Sequence, residues 1–168
     1  MTVSDSRERR AAIVAVIALA IWIGGLTALG ACVAPLVFKI VPAPFSGEAM
    51  GAVFRRFDLI AITAAIVVLG CEAVRIWVRE GSATTAERLR GLLAVTAAGA
   101  AIYLGVELSP SIVALHAAGA VRGIGENGVK LDRIHDLAEA VAKVEVTVGL
   151  FLLALQVSTL QRHKEQKP

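Results

Sequence analysis

The sequence predicts an all-α integral membrane protein: a four-helix antiparallel transmembrane bundle in a single domain over residues 1–168, with an extended last helix. Three observations predict it. Of the 168 residues 57% are hydrophobic and 18% charged, whereas a soluble domain carries about 25% charged residues. The mean hydropathy is +0.72. The apolar residues are also clumped: Ala11 to Phe38 holds no charged residue and exceeds the roughly 20 residues that cross a bilayer.

The first helix is expected over about 11–38, after the basic cluster Arg7, Arg9 and Arg10. This arrangement also resembles a secretory signal, and Leu29, Gly30, Ala31 and Cys32 resemble a lipoprotein cleavage box. The apolar run, however, is longer than the 7–15 residues of a signal and continues through Val33 to Phe38, so a retained span is expected. A loop with Pro42, Pro44 and Gly47 leads to a second helix over about 53–78, and a turn near Gly81 leads to a third over about 89–108. Ser109 and Pro110 read as an N-cap and first-turn pair opening a short helix over about 110–121, and a glycine-rich stretch, Arg122 to Gly128, precedes the last helix, about 131–160. Short connections make successive helices antiparallel neighbours.

Orientation follows from Lys and Arg. Arg7, Arg9, Arg10, Arg75, Arg79, Arg88, Arg90, Arg162, Lys164 and Lys167 fall on one side; Lys39, Arg55, Arg56, Arg122, Lys130, Arg133 and Lys143 on the other. The excess on the first side places both termini in the cytoplasm of a multi-pass cell inner membrane protein. The net charge of +3 is scattered between apolar runs, so nucleic acid is not an expected partner. Cys32 and Cys71 lie within apolar runs without CxxC spacing, which excludes a disulfide framework or a zinc ribbon.

Helix one carries Ala20, Gly24, Ala28 and Cys32 at four-residue spacing. Small residues at this interval let helices approach closely in lipid, either inside the bundle or against a second copy or another membrane protein. The segment Trp22, Ile23, Gly24, Gly25 through Ala34, Pro35, Leu36, Val37 and Phe38, with Gly47, Gly51, Phe54 and Arg55 downstream, resembles the transmembrane-protein-205-like family, a domain of unknown function. The tryptophan and double glycine are also similar to the opening helix of copper-resistance D-type proteins. Leu131 to Leu137, with His135, and the run Glu107, Leu108, Ser109, Pro110 support the first resemblance. The chain departs from the family pattern at Ala138, where a serine is usual, and lacks a later asparagine. The resemblance implies a small four-helix membrane protein and no particular reaction.

At the outer start of the last helix, Asp132, Asp136, Glu139 and Lys143 fall within about 60° at 100° per residue, and His135 stands four residues before Glu139. With His116 these form a candidate ligand set for a divalent metal ion, His135, Glu139, Asp132, Asp136 and His116, or else a solvated polar turn. Glu145 is an acid on the apolar face, with Arg55, Arg56 or Lys143 as candidate partners. Ionisable residues within membrane helices are candidates for function. Glu72 and Arg75 form an i, i+3 pair near the inner end of helix two, while Asp58 and Glu107 read as helix-end residues facing solvent. The chain has no phosphate-binding glycine loop, HExxH or nucleophile elbow, so an enzyme is not expected. Two functions fit: a small transport or resistance protein handling a cation at its outer face, and a non-catalytic membrane scaffold or assembly subunit.

Overall fold

The computed structural model describes residues 3–42, 45–79 and 81–165, with side chains placed for 6–42, 45–79 and 81–161. Each apolar run is helical, and no strand occurs among these residues. In chain order the elements are α1 (Val3–Ala28), a π-helical turn (Leu29–Val33), α2 (Ala34–Ile40), α3 (Phe45–Val78), α4 (Thr85–Tyr103), a second π-helical turn (Leu104–Leu108), α5 (Ser109–Ala117) and α6 (Gly125–Glu165). Among the described residues four rods, α1–α2, α3, α4–α5 and α6, are long and apolar enough to cross a membrane. The rod α1 packs on α3 and α6, and α4 packs on the same two, so α1 lies diagonally opposite α4. The start of α1 and the end of α6 lie at one end of the bundle, the terminal end; the opposite, far end carries the α2–α3 and α5–α6 connections.

Several boundaries differ from the sequence expectation. Helix α3 starts at Phe45, so Gly47 to Ala52 is helical; of the expected loop prolines, Pro44 lies outside the described residues. Helix α4 starts earlier because Thr84 caps it: the Glu87 amide donates to Thr84 Oγ1 at 3.3 Å and the Thr84 amide donates to Glu87 Oε2 at 2.7 Å. The expected cap at Ser109 is absent, since α5 continues α4 through the second π turn. Both π turns end two residues before a proline, Pro35 and Pro110. Proline cannot donate the i→i−4 bond, and the wider turn absorbs the defect: the Ala34 amide donates to the Leu29 carbonyl and the Ser109 amide to the Leu104 carbonyl. Helix α6 begins at Gly125, within the expected glycine-rich loop, and Gly128 is helical with the Val121 carbonyl lying where a Cβ would project.

The interior is small and the exterior large. Ala15, Ala18, Ala61, Ala64, Ala65, Ala94, Ala97, Ala98 and Ala101 are buried around Leu19, Trp22, Val68 and Leu152. Ile17, Ile21, Leu59, Ile66, Leu92 and Phe151 are exposed. A water-soluble bundle reverses this order; helices in lipid pack through small residues and present branched apolar chains to the acyl phase. The close approaches use Gly25, against Phe57, and Gly149, against Ile23. Of the two placements open to the small-residue row, the structure shows the outward one: Ala20, Gly24, Ala28 and Cys32 are exposed, and nothing lies near a Cβ built on Gly24.

Candidate functional site

Polar side chains are buried at two levels of this alanine-rich interior. At the terminal end Glu72 from α3 accepts from Arg90 Nε of α4 on both oxygens, at 2.9 and 2.8 Å. It also accepts from Gln156 Nε2 of α6 at 2.6 Å and from Arg75 Nη1 at 3.2 Å. Arg75 donates in turn to Gln156 Oε1, and its Nε lies 3.9 Å from Glu8 of α1. Glu72, Arg75, Arg90 and Gln156 are all buried. The i, i+3 pair expected near the inner end of helix two is therefore the centre of a cluster, neutral with Glu8 included, that ties all four rods together.

The second level is built differently. Glu145 of α6 is 1% exposed and accepts a hydrogen bond from Trp22 Nε1 of α1 at 2.5 Å. Its other oxygen, Oε2, has no hydrogen-bond partner among the described residues. Asp58 of α3, 6% exposed, lies beside the Ser109 side chain, and its Oδ2 is likewise without a partner among the described residues. The two carboxyls act on each other electrostatically. Gly105 permits this arrangement, since a Cβ there would stand 3.1 Å from the Asp58 Cβ. Sequence reasoning placed Asp58 at a solvated helix end; it is buried because α3 begins two turns earlier than expected. Glu107, given the same reading, is exposed. None of the cations considered for Glu145 serves it: Arg55 and Arg56 are exposed, and Lys143 pairs with Glu139 at 2.6 Å.

Beyond this level, in the far half of the bundle, lies a cavity of about 780 Å³. Leu26, Phe38, Met50, Phe54, Ile112 and Val113 line it, Ser109 stands in its wall, and both π turns contribute to it through Gly30, Ala31 and Leu104. The cavity is thus one hydroxyl away from Asp58. His116 and His135 also line it, their rings in edge contact with centroids 5.9 Å apart. Of the candidate metal ligands only these two imidazoles meet. Arg122 binds Asp132 at 2.6 Å and approaches Asp136 at 3.6 Å, while Glu139 is held by Lys143. Among the described residues no group of three His, Cys, Asp or Glu side chains is placed to hold a metal ion. The donor set therefore does not fit a closed metal centre, which needs about four ligands.

Trp22, Arg90, Ser109 and Gln156 complete the two polar levels. In the sequence Trp22 had stood out only as part of a motif and Arg90 only as a topology charge.

A four-rod α-helical membrane protein with acids and an amide buried in its interior is the class these features define. The chain belongs to the family described as a domain of unknown function, DUF4149, whose model matches residues 17–120 and so covers α2, α3, α4, α5 and the C-terminal part of α1. No curated protein and no solved structure shows a significant match to it. The match lends no support to the transmembrane-protein-205-like or copper-resistance D-type resemblance in particular.

Proposed function

We propose that this protein is a small, non-enzymatic carrier of the inner membrane in which Asp58 and Glu145 take up a cation arriving through the far-end cavity. The observation that carries the reading is the pair of buried carboxyl oxygens, Asp58 Oδ2 and Glu145 Oε2, that no side chain of the described structure satisfies. A buried carboxylate without a counter-charge is costly in an apolar interior, so a proton or another cation must match each negative charge. Glu72, held by two arginines and an amide, has no such need. With both termini in the cytoplasm, as the Lys and Arg distribution favours, the cavity opens outward. Passage inward then requires the alanine-rich layer between the two polar levels to part.

The test is cation flux into proteoliposomes, with H⁺ followed by an entrapped pH dye and Na⁺ and Mg²⁺ by ion-selective dyes. The reading expects flux of at least one of these, lost in Glu145→Gln and in Asp58→Asn and retained in His135→Ala. No flux, or flux indifferent to both carboxyl changes, would remove it. A second reading, an assembly subunit, is favoured by the outward-facing row Ala20, Gly24, Ala28 and Cys32, which leaves open space at Gly24 for the backbone of another helix.

A further inference from the structure

We infer that the cation this site takes is an amphiphilic organic amine, a protonated amino group on an apolar body; the inference rests on Asp58 and Glu145 being the cation-binding pair. The cavity volume of about 780 Å³ falls in the range of roughly 300–1,000 Å³ typical of pockets for drug-sized ligands. A bare metal ion would need a shell of oxygen donors. The walls offer few: Leu26, Phe38, Met50, Phe54, Ile112 and Val113 are apolar. The threonine hydroxyls in the lining are turned back on their own helices, Thr27 donating to the Ile23 carbonyl at 2.7 Å and Thr147 to the Lys143 carbonyl at 2.8 Å. Free acceptor capacity lies behind the wall and not in it: Asp58 Oδ2, on a carboxyl beside Ser109, and Glu145 Oε2, on the carboxyl that Trp22 holds by its other oxygen, are both without a partner among the described residues. One ammonium group matches one of the two negative charges, a proton on the other carboxyl matching the second, while its apolar substituents match the walls.

The rim argues against an anionic head group. Arg122 and Lys143, the two cations in the lining, are already paired with Asp132 and Glu139. Charge is therefore balanced at the mouth and unbalanced only at depth, and an amphiphile with a buried ammonium group satisfies that gradient.

Trp22 supplies the readout, because it donates directly to Glu145. The other tryptophan, Trp77, is 83% exposed and is removed as Trp77→Phe. The probe is dansylcadaverine, a fluorescent apolar body with one primary amine, compared with its uncharged N-acetyl derivative, on full-length protein in nanodiscs. Saturable energy transfer from Trp22 to the amine is expected, with affinity falling about tenfold or more for the acetylated probe and in Glu145→Gln or Asp58→Asn. Glu107→Gln, an exposed acid outside the cavity lining, should leave binding unchanged. Ala142→Phe should block binding by filling the cavity; if it fails to fold, Gly51→Leu makes the same test, since a Cβ there meets only Val113 at 3.9 Å. Equal binding of the two probes, or binding indifferent to both carboxyl changes, or loss with Glu107→Gln, would overturn the inference. Flux of an inorganic cation that depends on Glu145 without dansylcadaverine binding would overturn it while leaving the carrier reading intact. Carboxyl-dependent probe binding without flux of any cation or of the probe would do the reverse.

Discussion

Glu72 and Glu145 are both acids buried among apolar helices, and their partners separate them. Glu72 accepts from Arg75, Arg90 and Gln156, whereas Glu145 has Trp22 on one oxygen and no partner on the other. Removing Glu72 leaves Arg90 buried without its carboxylate and Arg75 with only Glu8 at 3.9 Å, so Glu72→Ala is expected to destabilise the fold by about 3–5 kcal/mol. Trp22→Phe, which withdraws a single donor, is expected to lose about 1–3 kcal/mol. Reversible unfolding in mixed micelles measures both, and a Glu72→Ala protein as stable as the parent would contradict the cluster's role. An acid on an apolar helical face is legible from periodicity, which is why Glu145 stood out. Its tryptophan partner was not, because a contact between positions so distant in sequence leaves no local pattern. Asp58 was misread for a local reason: with Arg55 and Arg56 beside it, it resembles a helix end unless the start of α3 is known.

Two glycines that are adjacent in α1 make opposite predictions. Gly25 faces the Phe57 ring and Gly24 faces outward. Gly25→Leu is expected to destabilise the bundle by about 1–3 kcal/mol through overpacking, while Gly24→Leu leaves protomer stability unchanged. If α1 docks on another helix, crosslinking in native membranes will show that Gly24→Leu removes the oligomer; crosslinked species that persist in Gly24→Leu would eliminate this face as the contact. The four-residue spacing displayed the stripe but not its direction, because the adjacent Gly25 offers a competing small face a helical step away. The start of α4 was written in the sequence as Thr84 and Glu87, a capping-box spacing. The two π turns were not: a proline after an apolar run signals either a new helix or a widened turn, and here the continuous packing of α4 and α5 selects the turn.

At the scale of the molecule, composition alone made the helical membrane class legible, since the length and hydropathy of each run determine how it can be buried. Layering of the interior was not legible, because it depends on which faces meet. From the terminal end to the far end the order is a neutral ionic cluster, an alanine-rich layer, two partly satisfied carboxyls and an apolar cavity. Along α3, Glu72 and Asp58 are separated by about 21 Å at 1.5 Å per residue, most of the roughly 30 Å hydrocarbon thickness. Two of the arginines counted toward orientation, Arg75 and Arg90, are buried in the cluster rather than exposed to a membrane surface. Reporter fusions at the C-terminus are expected to place it in the cytoplasm, and an external C-terminus would reverse the direction in which the cavity opens. The central claim is that Asp58 and Glu145 form an accessible cation-exchanging pair while Glu72 is locked. Its most direct test is labelling by an apolar carbodiimide in native membranes, mapped by mass spectrometry and followed by flux measurement. The account predicts modification of Glu145 or Asp58 about tenfold faster than Glu72, whose oxygens are occupied by Arg75, Arg90 and Gln156, with flux lost in step. Labelling confined to exposed acids such as Glu139 and Glu107, or modification of Glu145 with flux unchanged, would contradict it.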